Sequence, residues 1–314
     1  MLEANGFVIV NDPHNASKAP RSRLDVDYGG TILGKLEQIR DRANAEKLVP
    51  LFTGDFFQKP IESSEAIKSR LNDLLYSFWS QQGIIIPGNH DMRGDILSET
   101  DSLWNIKTGR SIRVFPHAGF FDTFLINGKK VSIGGSPFGQ AIPDDVERDG
   151  DVDEYIWLTH HNLPFKNNYK TSEQKLAFKE IVGVDKVFNG HIHTASPSVT
   201  SGMTTYFNIG SMTRTSVSDA ERKPVFGIYK DGNLFTEHLE CEPHVFDLSY
   251  RTERAKPGVS GRHTIGDAGA QFLSAIADDG RGNEFDIANW LKQEVSENRC
   301  SDGALRFIKN MLDR

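Results

Sequence analysis

The chain has 314 residues, 38% of them hydrophobic and 25% charged, enough for one large globular domain with at most a small appendage. Its net charge of -7 excludes wholesale attraction to polyanions, so nucleic-acid binding would need a local basic patch or a basic partner. Two distant cysteines, Cys241 and Cys300, exclude a disulfide-built scaffold. The opening MLEANGFVIVND is too short in apolar residues and too acidic for a signal peptide, and no run approaches a membrane span, so a soluble cytoplasmic protein is expected.

In chain order, short apolar and β-branched runs at 7–10, 49–53, 84–86, 131–133, 156–159 and 187–188 read as buried strands. Helical patterns lie between the first pairs. Ile32, Leu33, Leu36, Ile39 and Ala43 mark one apolar face, and Ile67, Leu71, Leu74, Leu75 and Phe78 mark another within 64–82. A third helix is expected from Thr171, with Gln174 completing a capping box and Leu176, Phe178, Ile181 and Val182 as its apolar positions. Strands follow at 205–209, 225–229 and 234–239, the last two joined by a Lys230-Asp231-Gly232-Asn233 turn.

Such alternation predicts an α/β fold, a two-sheet β-sandwich flanked by helices. The domain expectation is a catalytic domain over 1–245 and a C-terminal extension over 246–314. That extension is polar and Gly-rich as far as 284, with short helices expected at 270–277, 286–297 and 304–312, and it is a candidate partner-docking arm.

Chemistry is carried by five segments, FVIVNDPH, PLFTGD, IIIPGNHD, IWLTHH and VFNGHIH, each placing polar groups directly after an apolar run. Loops at the carboxyl ends of strands converge on one rim of an α/β sheet, so residues 180 positions apart in the chain can share a site. A lone Gly-Asp or Asp-x-His is commonplace; five in order, each after a strand, is not. The candidate ligands are Asp12, His14, Asp55, Asn89, His160, His191 and His193, with His161 an alternative to His160. His117, His238, His244 and His263 fall outside the motifs and read as structural or exposed.

A mixed O/N donor set without thiolate suits Mn, Fe, Zn or Ni. Seven ligands are too many for one catalytic ion that keeps an open position, so two divalent ions are expected with Asp55 bridging. Asp12, His14, Asp55 and His193 would hold one ion, and Asp55, Asn89, His160 and His191 the other.

Taken together, D12-x-H14, G54-D55, G88-N89-H90-D91, H160 and G190-H191-x-H193 resemble the signature of the calcineurin-like metallophosphoesterase superfamily, and F207-N208-I209-G210-S211 resembles its later strand segment. The resemblance covers about residues 5 to 240. Within the superfamily, GDFFQKP and the order PGNHD, late histidine, GHIH are most similar to the SbcD-type nuclease subunits of double-strand-break repair, including short phage forms.

This resemblance implies a two-metal enzyme, probed most naturally with Mn2+, that cleaves phosphodiester bonds by attack of a metal-bridging hydroxide. It makes His90 the histidine that contacts the scissile phosphate and assists the leaving group, with Asp91 orienting its ring. It implies DNA as substrate for an exo- or endonuclease, an SbcC-like ATPase as partner, and a homodimer. A small-molecule phosphodiesterase or phosphatase acting alone is the competing expectation. Lys18, Arg21, Arg23, Arg93 and Arg214 are candidates to grip phosphate.

Overall fold

The computed structural model of the chain describes residues 1–20, 22–109, 112–166 and 176–248. In order, these form β1 (Glu3–Ala4), β2 (Gly6–Val10), α1 (Tyr28–Glu46), β3 (Leu48–Phe52), α2 (Glu65–Tyr76), β4 (Ile84–Ile85), α3 (Ser102–Gly109), β5 (Arg113–Val114) and β6 (Gly119–Ile126). Then come β7 (Lys129–Ser136), β8 (Glu154–Thr159), β9 (Lys186–Asn189), β10 (Ser196–Ser201), β11 (Thr204–Asn208), a 3-10 turn (Val217–Asp219), β12 (Val225–Lys230) and β13 (Asn233–His238).

Two mixed sheets result, one ordered β1-β6-β7-β8-β9-β11-β10 and the other β13-β12-β2-β3-β4-β5. The α/β two-sheet sandwich is therefore the observed architecture. Its late strands do not form a sheet of their own, because β11 runs parallel to β9 in one sheet while β12 runs antiparallel to β2 in the other.

Alternation along β2 explains the layering. Phe7 and Ile9 face inward to Val49, Leu51, Ile84, Phe124, Ile133, Ile156 and Phe188, forming the core between the sheets. Val8 and Val10 point the other way, against Ile32, Leu36, Ile39 and Leu71 of the helices. A strand covered on both faces reads as a continuous apolar run, which is why β2 and β3 are so legible. Behind β8, Tyr155 and Trp157 carry a third apolar layer with Phe165, Ile181 and Tyr206.

The helices start and stop where their caps are. Asp27 accepts from Gly30 N at 2.8 Å at the start of α1, and Lys47 closes it in the left-handed region, its N–H returning to Ala43 O and Asn44 O. Ser64 caps α2 by accepting from Ile67 N. Asp231 and Gly232, both with positive φ, make the two-residue turn that joins β12 to β13.

The helix expected from Thr171 does not form where the chain is described. Residues 176–182 run non-helically behind β8, and 167–175 lie outside the described residues. Individual anchors replace a helical face: Phe178 sets its ring edge-on to Phe165 and Tyr206, Ile181 N donates to Thr204 Oγ1, and Val182 bridges to Asp145. Leu176 and Val182, which a helix would have buried, are exposed. The helices expected at 270–277, 286–297 and 304–312 lie outside the described residues.

Phe188 joins the two sheets, stacked on Phe207 at 5.4 Å between ring centroids and edge-on to Tyr229 at 5.2 Å. Truncation there leaves a cavity that neither sheet can fill, so Phe188→Ala should cost about 3–5 kcal/mol. The check is a fall in the urea midpoint at constant m. A change below about 1 kcal/mol would show that the ring does not hold the sheets together.

Candidate metal centre

The candidate ligand residues sit at the carboxyl ends of parallel strands drawn from both sheets: Asp12 and His14 after β2, Asp55 after β3, Asn89 after β4, His160 after β8, and His191 and His193 after β9. Two donor groups form. Asp12, His14, Asp55 and His193 offer atoms within 4.8 Å of one another, and so do Asp55, His160 and His191. Asn89 belongs with the second, its Oδ1 3.2 Å from His160 Nε2 and 3.0 Å from His191 Nδ1. Asp55 is common to both. His160 enters the centre, whereas His161 turns aside and donates from Nε2 to Gln140 O at 2.8 Å.

Local backbone makes this convergence. Asp12, His14, Asp55 and His191 all have φ between 49° and 72°, the left-handed region that L-residues avoid. Gly88 is required by close approach, since a β-carbon there would collide with Asp55 Oδ1 and Asp55 N.

The donor set fits divalent ions better than it fits itself. Asp12 Oδ2 and His14 Nδ1 are buried without a partner, and His14 Nε2 faces His193 Nε2 at 3.0 Å, an approach of two imidazole nitrogens that a shared cation would satisfy. Carboxylate, imidazole and amide oxygen are donors for a borderline divalent metal. His160 Nδ1 donates to Thr53 O at 2.6 Å, which fixes its tautomer and leaves Nε2 toward Asp55 and Asn89.

The electrostatics are those of a crowded buried site. Burial pushes the Asp55 carboxyl up, but His160, His14 and His90 outweigh it and hold the group well below the carboxylate range. Burial likewise lowers His14, only partly opposed by Asp55. For His160, burial is overcome by the charge and hydrogen bond of Asp55, which raise the imidazole to about 9. His193 is also raised against burial, chiefly through Asp219, whose Oδ2 lies 3.9 Å from Nδ1.

His90 stands over the shared carboxylate. Its backbone N donates to Asp55 Oδ1 at 2.8 Å, and its Nδ1 donates to Gln58 O at 2.8 Å, which leaves Nε2 for other work. The expectation for Asp91 is corrected here. Its carboxylate accepts from the backbone N of Phe56, Phe57 and Gly88, while the His90 ring bonds Gln58 O, so Gln58 orients the ring and Asp91 ties two candidate ligand loops together. Burial, then the charge of Asp55, pushes Asp91 up to about 7.

Two of the candidate phosphate grips are also corrected. Arg23 is forked onto Asp25 at 2.6 and 2.7 Å with a third bond to Arg214 O, and Arg214 is consumed by the carbonyls of Ala220, Glu242 and Pro243. Arg93 pairs with Asp101 at 3.3 Å and stays exposed. Lys18 remains exposed, while Arg21 lies outside the described residues. Asp219, which positions His193, has no motif to announce it. The flanking pairs Asn11–Thr53 and Thr159–Asn189 were equally silent in the sequence.

A sandwich whose strand ends from both sheets converge on buried Asp and His donors has the frame of a metal-dependent hydrolase. The family model for calcineurin-like phosphoesterases matches residues 6–195, more than half of the sequence, and the chain belongs to that family. No protein of curated function matches the chain. Among solved structures it is similar to a 5'-nucleotidase precursor from Thermus thermophilus, at 16% identity and a TM-score of 0.45, over 87% of this chain and 60% of that one. It is also similar to the NAD nucleotidase NadN of Haemophilus influenzae, at 13% identity and a TM-score of 0.42, over 77% and 50% respectively. The chain thus spans less than two thirds of either protein. No helix among the described residues is long and apolar enough to cross a membrane.

The raised His160 gives a pH test. A histidine whose folded pKa is about 9 against an ordinary 6.5 stabilises the metal-free protein fully below about 6.5 and loses that contribution as pH rises through about 9. Metal requires the neutral imidazole, so protons and ions compete. The rise in Tm produced by a fixed manganese concentration should therefore grow from about pH 6.5 to pH 8.5. A constant or shrinking increment would contradict this electrostatic description.

Proposed function

We propose that the chain is a two-metal phosphodiesterase acting on nucleic acid, an exo- or endonuclease of the SbcD type. The carrying observation is the pair of donor groups sharing Asp55 with His90 directly above them. Two ions held there would supply a water of lowered pKa and neutralise phosphoryl oxygens. The chain's own residues account for the rest. Asp55 joins the two halves, Asn89 presents an amide oxygen to His160 and His191, and the Gln58 carbonyl holds His90 so that Nε2 can give a proton to the leaving oxygen. Mn2+ is the metal to try first, and DNA, an SbcC-like ATPase and a second copy of the chain are the partners this reading carries.

A small phosphodiester acted on by the chain alone is the second reading. It is favoured by the burial of Arg23 and Arg214 within the fold, which leaves few exposed cations near His90 among the described residues: Arg93 and, beside Gln58 in a cavity of about 420 Å3, Lys18 and Lys59.

The test is manganese-dependent hydrolysis of bis-p-nitrophenyl phosphate and of labelled single- and double-stranded DNA. His90→Ala should lower turnover by about 10²–10⁴-fold while metal stays bound. Asp55→Ala should abolish both. Hydrolysis of the small diester alone, with or without an ATPase partner, would select the second reading; no hydrolysis of either would overturn both.

A further inference from the structure

Beside the His160 and His191 end of the centre, the described residues line an open cavity of about 610 Å3 that the chemistry above does not use. That volume falls within the ~300–1,000 Å3 of small-molecule sites. Phe138, Ile142, Leu176 and Ala177 give it apolar walls, and Gln140 and His161 give it polar ones. We propose that this cavity is a subsite for a nucleobase of the substrate, with Phe138 as the stacking platform that selects it; the inference rests on the phosphodiesterase reading above.

Phe138 is the wall shared with the metal centre. Its ring centroid lies 5.7 Å from that of His191, 6.2 Å from His160 and 6.5 Å from His161. A substrate whose phosphate meets these imidazoles therefore has its esterifying group beside this ring. The platform is also fixed in advance. Phe138 N donates to Pro87 O at 3.1 Å, immediately before the Gly88-Asn89-His90 loop, and Gln140 N donates to Pro137 O at 3.1 Å in the turn around Phe138. The Gln140 side chain ties that turn to Pro116 O and Ala118 N, both at 2.6 Å. A ring held this way loses little freedom when a partner stacks on it.

The polar groups favour a base over an anion or a purely aliphatic chain. Lys179 reaches the cavity, but its ammonium is turned to Asp144 at 2.6 Å and donates to Ile142 O. His161 is 95% buried with Nε2 bonded to Gln140 O, and its ring lies nearly parallel to that of Phe138, at 27°. Such apolar ring faces complement a flat heteroaromatic ring better than an anion.

The experiment is equilibrium binding to the manganese-loaded full chain of two probes, deoxyadenosine 5'-monophosphate and deoxyribose 5-phosphate, by calorimetry. In the wild type the base should tighten binding about tenfold. The ratio of the two dissociation constants should fall below about twofold in Phe138→Ala and recover in Phe138→Trp, which restores a π-face. A wild-type ratio near one, or a ratio that survives Phe138→Ala, would overturn the assignment. Because the readout is a binding ratio, it is independent of turnover. A retained ratio in a protein that hydrolyses no diester would refute the phosphodiesterase reading alone, and hydrolysis with no ratio would refute the base subsite alone.

Discussion

Asn11 and Asn189 end strands of different sheets, and the bond from Asn11 Nδ2 to Asn189 O at 2.9 Å pins those ends together. Around it, Thr53 Oγ1 donates to Asn11 Oδ1 at 2.6 Å, and Thr159 Oγ1 donates to Asn189 Oδ1 at 2.8 Å. All four side chains are buried. Each stands within two residues of a ligand: Asn11 beside Asp12, Thr53 before Asp55, Thr159 before His160, Asn189 before His191. A sandwich core is free to slide by fractions of an ångström, because apolar contact is not directional. A saturated buried polar belt is not, since breaking any of its bonds strands a desolvated group. The ligands of the two halves can meet because this belt sets the distance between the sheets at one rim.

The same rim holds the cost. Four ligand-bearing residues adopt left-handed backbone, at roughly 1–2 kcal/mol each, against a net stability of about 5–15 kcal/mol for an ordinary domain. The opposing bonds are local and numerous: Asp91 gathers three backbone N–H groups from two loops, His14 N donates to Asp55 O at 2.9 Å, and His191 N donates to Asp12 Oδ1 at 2.8 Å. The loops thus bind one another through the groups that a metal centre needs near each other. Strain of this kind is retained where geometry serves chemistry.

The strands and the convergence of the candidate ligands were legible for the same reason. A strand buried on both faces is an apolar run, and the first candidate ligand stands within three residues of that run's carboxyl end, so 7–10 leads through Asn11 to Asp12 and 187–188 leads through Asn189 to His191. What the sequence could not carry was the use of side chains by backbone. Asp91 looked catalytic because it adjoins His90, yet its partners are amides without identity in the sequence. Arg23 and Arg214 looked available because their acceptors are a neighbouring carboxylate and distant carbonyls. Asp219 reaches His193 from a loop 26 positions on, with no periodicity to mark it. The edge strand β10, SPSVTS, lacks an apolar face, and the non-helical path of 176–182 reuses apolar residues spaced as on a helix. Sheet membership was also hidden, since pairing of β11 with β9 and of β12 with β2 is a long-range choice.

In the proposed centre one carboxylate, Asp55, serves two ions. The most direct test is metal stoichiometry by equilibrium dialysis and elemental analysis of the full chain, with His193→Ala, His191→Ala and Asp55→Ala beside the wild type. A shared Asp55 predicts two equivalents of manganese per chain, one in each histidine variant, and loss of both in Asp55→Ala, with far-ultraviolet circular dichroism reporting an intact fold. A single equivalent in the wild type, or two retained without Asp55, would contradict it.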